Sequence, residues 1–371
     1  AHIDAGPDQV RNVDPREAIV VTASQGRLTQ VRVMGPKGEV TGDITDGGTR
    51  WQASGDPLDY DSRYVIEATA VDSRGLPTSS SRAFRTVEPK AFASASVTPT
   101  KGSTLGVGMP VTVTFDRDIA DRAAVERAMV IHTPEPLLGA WSWTSDRTVQ
   151  FRPQDFWPGN IDVGVDVNIE GVEVAKDVFG SKNSSTQFRF GPSMITKVDA
   201  ERHVAKIVRD GEVIRTIPIT TGKPGFETRS GTKVIMTKEP TRLMDAASGG
   251  TDPNDPEYYR LEVQYAMRIT YSGEFLHAAP WSVGSQGYAN VSHGCVGMST
   301  ENAQWLFDKS DIGDVVIVKG TNTPQNPGNG ITIWNESWKD WLASSATGEV
   351  MTVASAPVVP DSATTGEVPA A

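Results

Sequence analysis

The chain contains a single cysteine, Cys295, and two of its five histidines lie near it in sequence, His277 and His293. A free thiol ionises near pH ~8.5, so a cysteine nucleophile working at neutral pH needs an adjacent base or cation. Histidine can take a thiol proton and hand it on to a leaving group. His277 reaches Cys295 if the segment between them folds back as a turn between strands. Gly284, Gly287 and Gly294 permit that turn, and Gly294 lets backbone approach a substrate closely. The amide groups of His293, Gly294 and Cys295 are the candidates to receive a developing oxyanion. The competing reading is an inert buried cysteine beside two structural histidines, because free cysteine is among the most buried residue types.

The segment from His277 to Gly284, followed by Ser292-His293-Gly294-Cys295, resembles the signature of the L,D-transpeptidase (YkuD-type) catalytic domain. That signature is a histidine, a glycine-containing spacer and then Ser-His-Gly-Cys. A pattern this long seldom arises by chance, and it puts the catalytic reading ahead of the inert one. The resemblance implies Cys295 as nucleophile and His277 as base, oriented by the main-chain carbonyl of Ala278. His293 falls on the oxyanion side, as a donor or as a structural support, and Ser292 joins the substrate-contacting residues of the motif. Matching outward from the motif, Tyr259 falls near substrate and oxyanion, Met244 on a lid lining the donor channel, and Ser272 and Trp281 at the pocket rim. The chain departs from the family pattern at Gly297, usually arginine or asparagine, and at Arg229, which replaces a proline in a Thr-Pro-x-Gly turn.

The implied activity is acyl transfer on peptidoglycan. A tetrapeptide stem is attacked at the carbonyl of its third residue and D-alanine is expelled. The side-chain amine of an acceptor stem then resolves the thioester to a 3→3 cross-link. Carbapenem β-lactams are expected to acylate Cys295, and neither metal nor organic cofactor is implied. An L,D-carboxypeptidase, which resolves the same thioester with water, and a non-catalytic cell-wall binding protein are the alternatives. A zinc site built from His277, His293 and Cys295 is disfavoured, because His-Gly-Cys is tight for two ligands and no fourth lies nearby.

These residues must be held by a scaffold, and the rest of the chain reads as mainly β. Residues 1–90 show short alternating strands, a lone Trp51, and an Asp59–Tyr64 lead-in resembling the tyrosine corner of an immunoglobulin-like sandwich. Residues 91–192 repeat that style around Val111–Phe115, with Trp141, Trp143 and Trp157 read as core rather than as a sugar-stacking platform. Residues 193–320 form the β-rich catalytic domain. They open with a hairpin at Asp210-Gly211, and Thr300–Lys309 is a short helix capped by Ser299. Between them, 237–258 reads as a long irregular lid beside the cysteine. Residues 321–343 are a tryptophan-rich extension, with Trp334, Trp338 and Trp341 at helical spacing, expected to pack on the catalytic domain. Residues 344–371 read as a disordered tail.

Charge and composition narrow the partners. The net charge is −11 with no basic block, which argues against nucleic acid. No run of about eighteen apolar residues occurs, so nothing reads as a membrane span. The first residues lack the basic start and apolar stretch of a signal peptide. A composition rich in Thr, Ser, Gly, Val and Asp nevertheless suits an extracytoplasmic protein at the cell wall. The expectation is a mature or trimmed form whose N-terminal signal or membrane anchor has been removed. One cysteine excludes an internal disulfide.

Overall fold

The structure is a computed structural model that describes residues 1–55 and 57–353. It forms two compact units. The first takes Ala1–Ala95, Phe115–Met129 and Val167–Ser184, and the second takes Ser96–Thr114, Val130–Asp166 and the chain from Ser185. Their boundaries therefore cut through the 91–192 stretch that the sequence reads as one sandwich. Among the described residues no helix is long and apolar enough to cross a membrane.

In the first unit, two four-stranded sheets enclose a core that includes Val21, Val33, Trp51, Ile66 and Phe84. The strand Arg63–Val71 alternates buried and solvent-facing residues, as a half-buried strand must. Tyr64 is buried, and its hydroxyl accepts the Asp59 backbone N–H at 2.9 Å, the tyrosine corner expected from sequence. In the second unit, Trp141 and Trp157 are almost wholly buried around Phe151, which makes them core side chains.

The part of the second unit that carries the motif is built on two sheets. One orders its strands Glu212–Pro218, Val204–Arg209, Met194–Asp199, Val315–Lys319 and Gly231–Val234. The other orders Thr237–Asp245, Arg260–Arg268, Phe275–Ala278 and Val296–Met298. The first begins with the expected hairpin. Asp210 and Gly211 take φ of 48° and 91°, the positive values a two-residue turn between twisted strands favours. The helix Thr300–Lys309 starts where Ser299 Oγ accepts the Asn302 N–H, and it buries Ala303 and Leu306. Those two side chains join Ile207, Val316, Met267 and Leu276 in one core.

Three stretches differ from the sequence reading. The expected lid begins later, because Thr237–Asp245 is a strand paired along its length with Arg260–Arg268, leaving only the residues after it irregular. The tryptophan-rich extension does pack on the catalytic domain as expected: Ser230 N–H donates to Thr323 O and Gln325 N–H to Ser230 O, both at 2.7 Å, and Asn335 accepts the Thr232 N–H at 2.6 Å. Its indoles, however, turn elsewhere: Trp334 donates to Gly108 O and Trp341 to Ala140 O. Trp334, Trp338 and Trp341 surround the buried guanidinium of Arg152 at 5.1, 5.3 and 4.9 Å. A buried cation with few acceptors is most readily accommodated by aromatic faces. The tail expected from 344 begins with turns and a strand, Met351–Val353, antiparallel to Leu137–Gly139. Its remainder, 354–371, lies outside the described residues.

Candidate active site

Phe275–Ala278 and Val296–Met298 are parallel neighbours, with His277 opposite Gly297. Side chains alternate faces along a strand, so Cys295, two residues before Gly297, shares a face with His277. Both line a largely apolar pocket of about 190 Å3 with Trp281, Met244 and Tyr259. The seventeen residues that join them need no long reach, because sheet pairing closes the loop.

Gly297 is fixed from both sides. It exchanges two hydrogen bonds of 2.9 Å with Thr220. A Cβ there would lie 2.9 Å from Ala279 Cβ and 3.1 Å from Thr220 Cγ2. The arginine or asparagine of the family pattern has no room in this backbone arrangement, which gives the departure a steric reason.

His277 is buried, and its Nδ1 lies 2.7 Å from Ala278 O. A carbonyl only accepts, so Nδ1 carries the proton and Nε2 keeps its lone pair. Burial lowers the pKa of His277, partly offset by the bond to Ala278, and the ring stays neutral. Trp281, 59% exposed, lies with its ring 6.0 Å from the imidazole as an outer wall.

Cys295 is buried as well. Burial pushes its thiol up to about 12, against the opposing influence of the Phe275 backbone amide, which favours the charged sulfur. Its Sγ lies 3.7 Å from Gly273 O, the thiol donating. A neutral thiol beside a neutral imidazole is therefore the resting arrangement.

The turn before Cys295 is braced by its own hydroxyls. Ser292 Oγ donates to Cys295 O at 2.6 Å and accepts the Gly294 N–H at 3.1 Å. Ser292 thus holds the loop, and the Gly294 amide, a candidate oxyanion donor, is engaged with it. Gly294 takes φ of 118°, a conformation that disfavours any side chain. Its carbonyl accepts from the buried hydroxyl of Thr228 at 2.7 Å. His293 points the other way: Nε2 meets Glu257 Oε2 at 2.7 Å, and the ring packs between Phe226 and Tyr259. Glu257 also accepts from Lys223, and these two partners hold its carboxyl below the usual range.

A second, polar cleft of about 400 Å3 adjoins the first, and Met244, Tyr259 and His293 line both. Gly294 and Ser272 line the polar cleft, with Arg229, Arg242, Arg268 and Glu274. Ser272 is tied to Asn329, whose side chain bonds both its N–H and its hydroxyl. Tyr259 and Cys295 line the same pocket; burial raises the pKa of Tyr259, and the neighbouring Cys295 adds to that rise. All the residues singled out from sequence therefore gather at one locus, with Ala278 contributing its carbonyl.

Sequence reasoning passed over Thr228, Glu257, Lys233 and Glu274. No spacing rule marks a threonine or a charged side chain as a brace, since each acts across strands far apart in the chain. His203 Nδ1 lies 3.0 Å from Asn290 Oδ1 and so helps hold the spacer loop.

On this β-rich fold, a buried histidine on one strand and a buried cysteine just before its parallel neighbour share one apolar pocket, an arrangement that suits a thiol nucleophile and a nearby base. Residues 194–318 match the L,D-transpeptidase catalytic domain family, and residues 10–173 match the bacterial Ig domain family. L,D-transpeptidase 2 of Mycobacterium tuberculosis is 37% identical over 330 residues, covering 88% of this chain and 80% of that protein. A solved L,D-transpeptidase from Mycobacterium smegmatis shares 37% identity with a TM-score of 0.53, covering 62% of this chain and 99% of the other. A solved L,D-transpeptidase in complex with imipenem shares 38% identity with a TM-score of 0.53, covering 60% of this chain and 97% of the other. The chain belongs to the L,D-transpeptidase family.

Proposed function

We propose that this chain cross-links peptidoglycan stems 3→3 through a thioester on Cys295. In the first half, the Cys295 proton passes to His277 Nε2 as sulfur attacks the carbonyl of the donor stem's third residue. The scissile C–N bond then breaks, and His277 returns the proton to the departing D-alanine amine. In the second half, the side-chain amine of an acceptor stem attacks the thioester. It loses its proton to His277, and the thiolate of Cys295 leaves and is reprotonated.

The observation that carries this reading is the His277 Nδ1–Ala278 O hydrogen bond in a pocket shared with Cys295. It fixes the tautomer whose free lone pair can act as base. Ala278 thus orients the base without a side-chain carboxylate. The backbone around Gly294 and Cys295 serves the oxyanion, with the Gly294 amide released from Ser292 when a carbonyl oxygen arrives. Met244, Tyr259 and Trp281 position the peptide from the pocket walls, Ser272 from the polar cleft, and Ser292 and His293 through the loop. The imipenem complex of a relative supports carbapenem acylation of Cys295 here. The Ig-domain match over 10–173 and the catalytic-domain match over 194–318 support an Ig-like region ahead of a catalytic domain on the cell-wall side of the envelope, which we read as modules 1–90, 91–192 and 193–320.

The test is mass spectrometry of purified tetrapeptide stems incubated with wild type and with Cys295→Ala. Cross-linked dimers that have lost one D-alanine, formed by wild type alone, are the expected outcome. Tripeptide without dimer would make the protein a carboxypeptidase, and no product at all would remove the catalytic reading.

A further inference from the structure

Beneath the nucleophile loop lies a charge cluster that the acyl-transfer steps above do not use. Lys233, on Gly231–Val234, is wholly buried, and Glu274, which precedes the His277 strand, is nearly so. Lys233 Nζ donates to Glu274 Oε2. Glu274 Oε1 accepts the Arg229 backbone N–H at 2.9 Å and Arg229 Nη1 at 3.2 Å. Burial lowers the pKa of Lys233 while Glu274 opposes that shift, and with both basic groups protonated the cluster carries one net positive charge.

The cluster is joined to the loop at several points. Gly273, next to Glu274, supplies the carbonyl that the Cys295 thiol faces. Thr228, next to Arg229, donates to Gly294 O. A Cβ on Gly294 would lie 3.7 Å from Glu274 Cγ, so the carboxylate stem runs under that residue. Burying an ammonium is expensive, and structural support alone is met as well by apolar side chains.

We propose that Lys233 and Glu274 are positioning residues whose net positive cluster, completed by Arg229, favours negative charge on Cys295 sulfur and on the acyl oxygen above it. The inference rests on Cys295 being the nucleophile. The other charged or titratable groups around the sulfur are His277, Tyr259 and His293 along the pocket walls, the last engaged with Glu257, and Arg268 on the neighbouring strand. None of these is altered by changes at 233 or 274. Lys233 therefore lowers the barrier to ionisation and Glu274 raises it, a pair of opposite signs that simple packing does not produce.

The test is the pH dependence of Cys295 alkylation by iodoacetamide, which reports one site because the chain has one cysteine. Lys233→Met should move the midpoint up and slow alkylation at pH 7 about three- to tenfold. Glu274→Gln should move it down and speed alkylation by a similar factor. The double variant restores the net charge and should return the profile close to wild type. Arg229→Gln, at a half-buried position that leaves no buried ion unpaired, should slow alkylation like Lys233→Met. Slowing in both single variants, a double variant slower than either, or unmoved profiles would each overturn the proposal. Alkylation requires no stem peptide, so failure to cross-link in the product assay is a separate outcome from failure here.

Discussion

His277 and Gly297 face each other across two parallel strands, and Cys295 sits two residues back on the same face. The missing side chain at 297 keeps that face flat, letting Ala279 and Thr220 pack against the strand beside the catalytic pair. Gly297→Ala should therefore lower stability by about 1–3 kcal/mol, the usual penalty of forcing a methyl into a packed site. Because the strand also sets the His277–Cys295 alignment, kcat/KM should fall by about tenfold or more. Thermal unfolding and acylation kinetics of the same variant check both parts.

On the proposed mechanism, His277→Gln removes the base while keeping a polar side chain of similar reach. Acylation should slow by about two to four orders of magnitude, measured as single-turnover thioester formation. An unchanged rate would remove His277 from the reaction. In the proposed mechanism the base is neutral imidazole, and burial lowers the His277 pKa. The acid limb of kcat/KM should therefore lie below the ordinary histidine value of about 6.5.

Asp314 carries a pH signature for stability rather than catalysis. It is buried before the Val315–Lys319 strand, and desolvation raises its carboxyl to about 8, opposed by the Asp311 N–H it accepts at 2.8 Å. Between its ordinary value near 3.8 and about 8, the folded state holds a proton that the unfolded state has lost. This group's contribution to stability is therefore full below the lower value and declines as pH rises toward the upper one. Asp314→Asn keeps an acceptor for Asp311 and should flatten the slope of unfolding midpoint against pH between 5 and 8. A slope as steep as that of wild type would show that another group is responsible.

Arg152 holds the tryptophan-rich extension. It is buried under three indoles and donates to Gln154 O and to Glu336 O. Arg152→Ala should lower the unfolding midpoint by several degrees, through the cavity and the carbonyls left without a donor. Limited proteolysis should cut beyond residue 320 sooner than in wild type. An unchanged cleavage pattern would show that Asn335 and the strand at Met351–Val353 hold the extension without it.

Much of this protein is local information. Alternation along Arg63–Val71, the Asp210-Gly211 turn and the Ser299 cap each depend on residues within a few positions of one another, so sequence alone determines them. The Ser-His-Gly-Cys run with its upstream histidine is local in the same sense, and it points to the proposed nucleophile and base and carries the family resemblance. What the chain order leaves open is which distant groups come to lie beside them. Thr237–Asp245 reads as loop because its proline, charges and threonines lack a clean period, and it becomes a strand because Arg260–Arg268 supplies its ladder. The indole stripe predicts a packed face but not its counterpart, because Arg152 lies far away in sequence. The same holds for Lys233 and Glu274, ordinary surface residue types until two sheet edges bury them together. Spacing fixes what a segment can form; only the tertiary fold fixes the desolvation and field its side chains meet, because those depend on neighbours the sequence does not order.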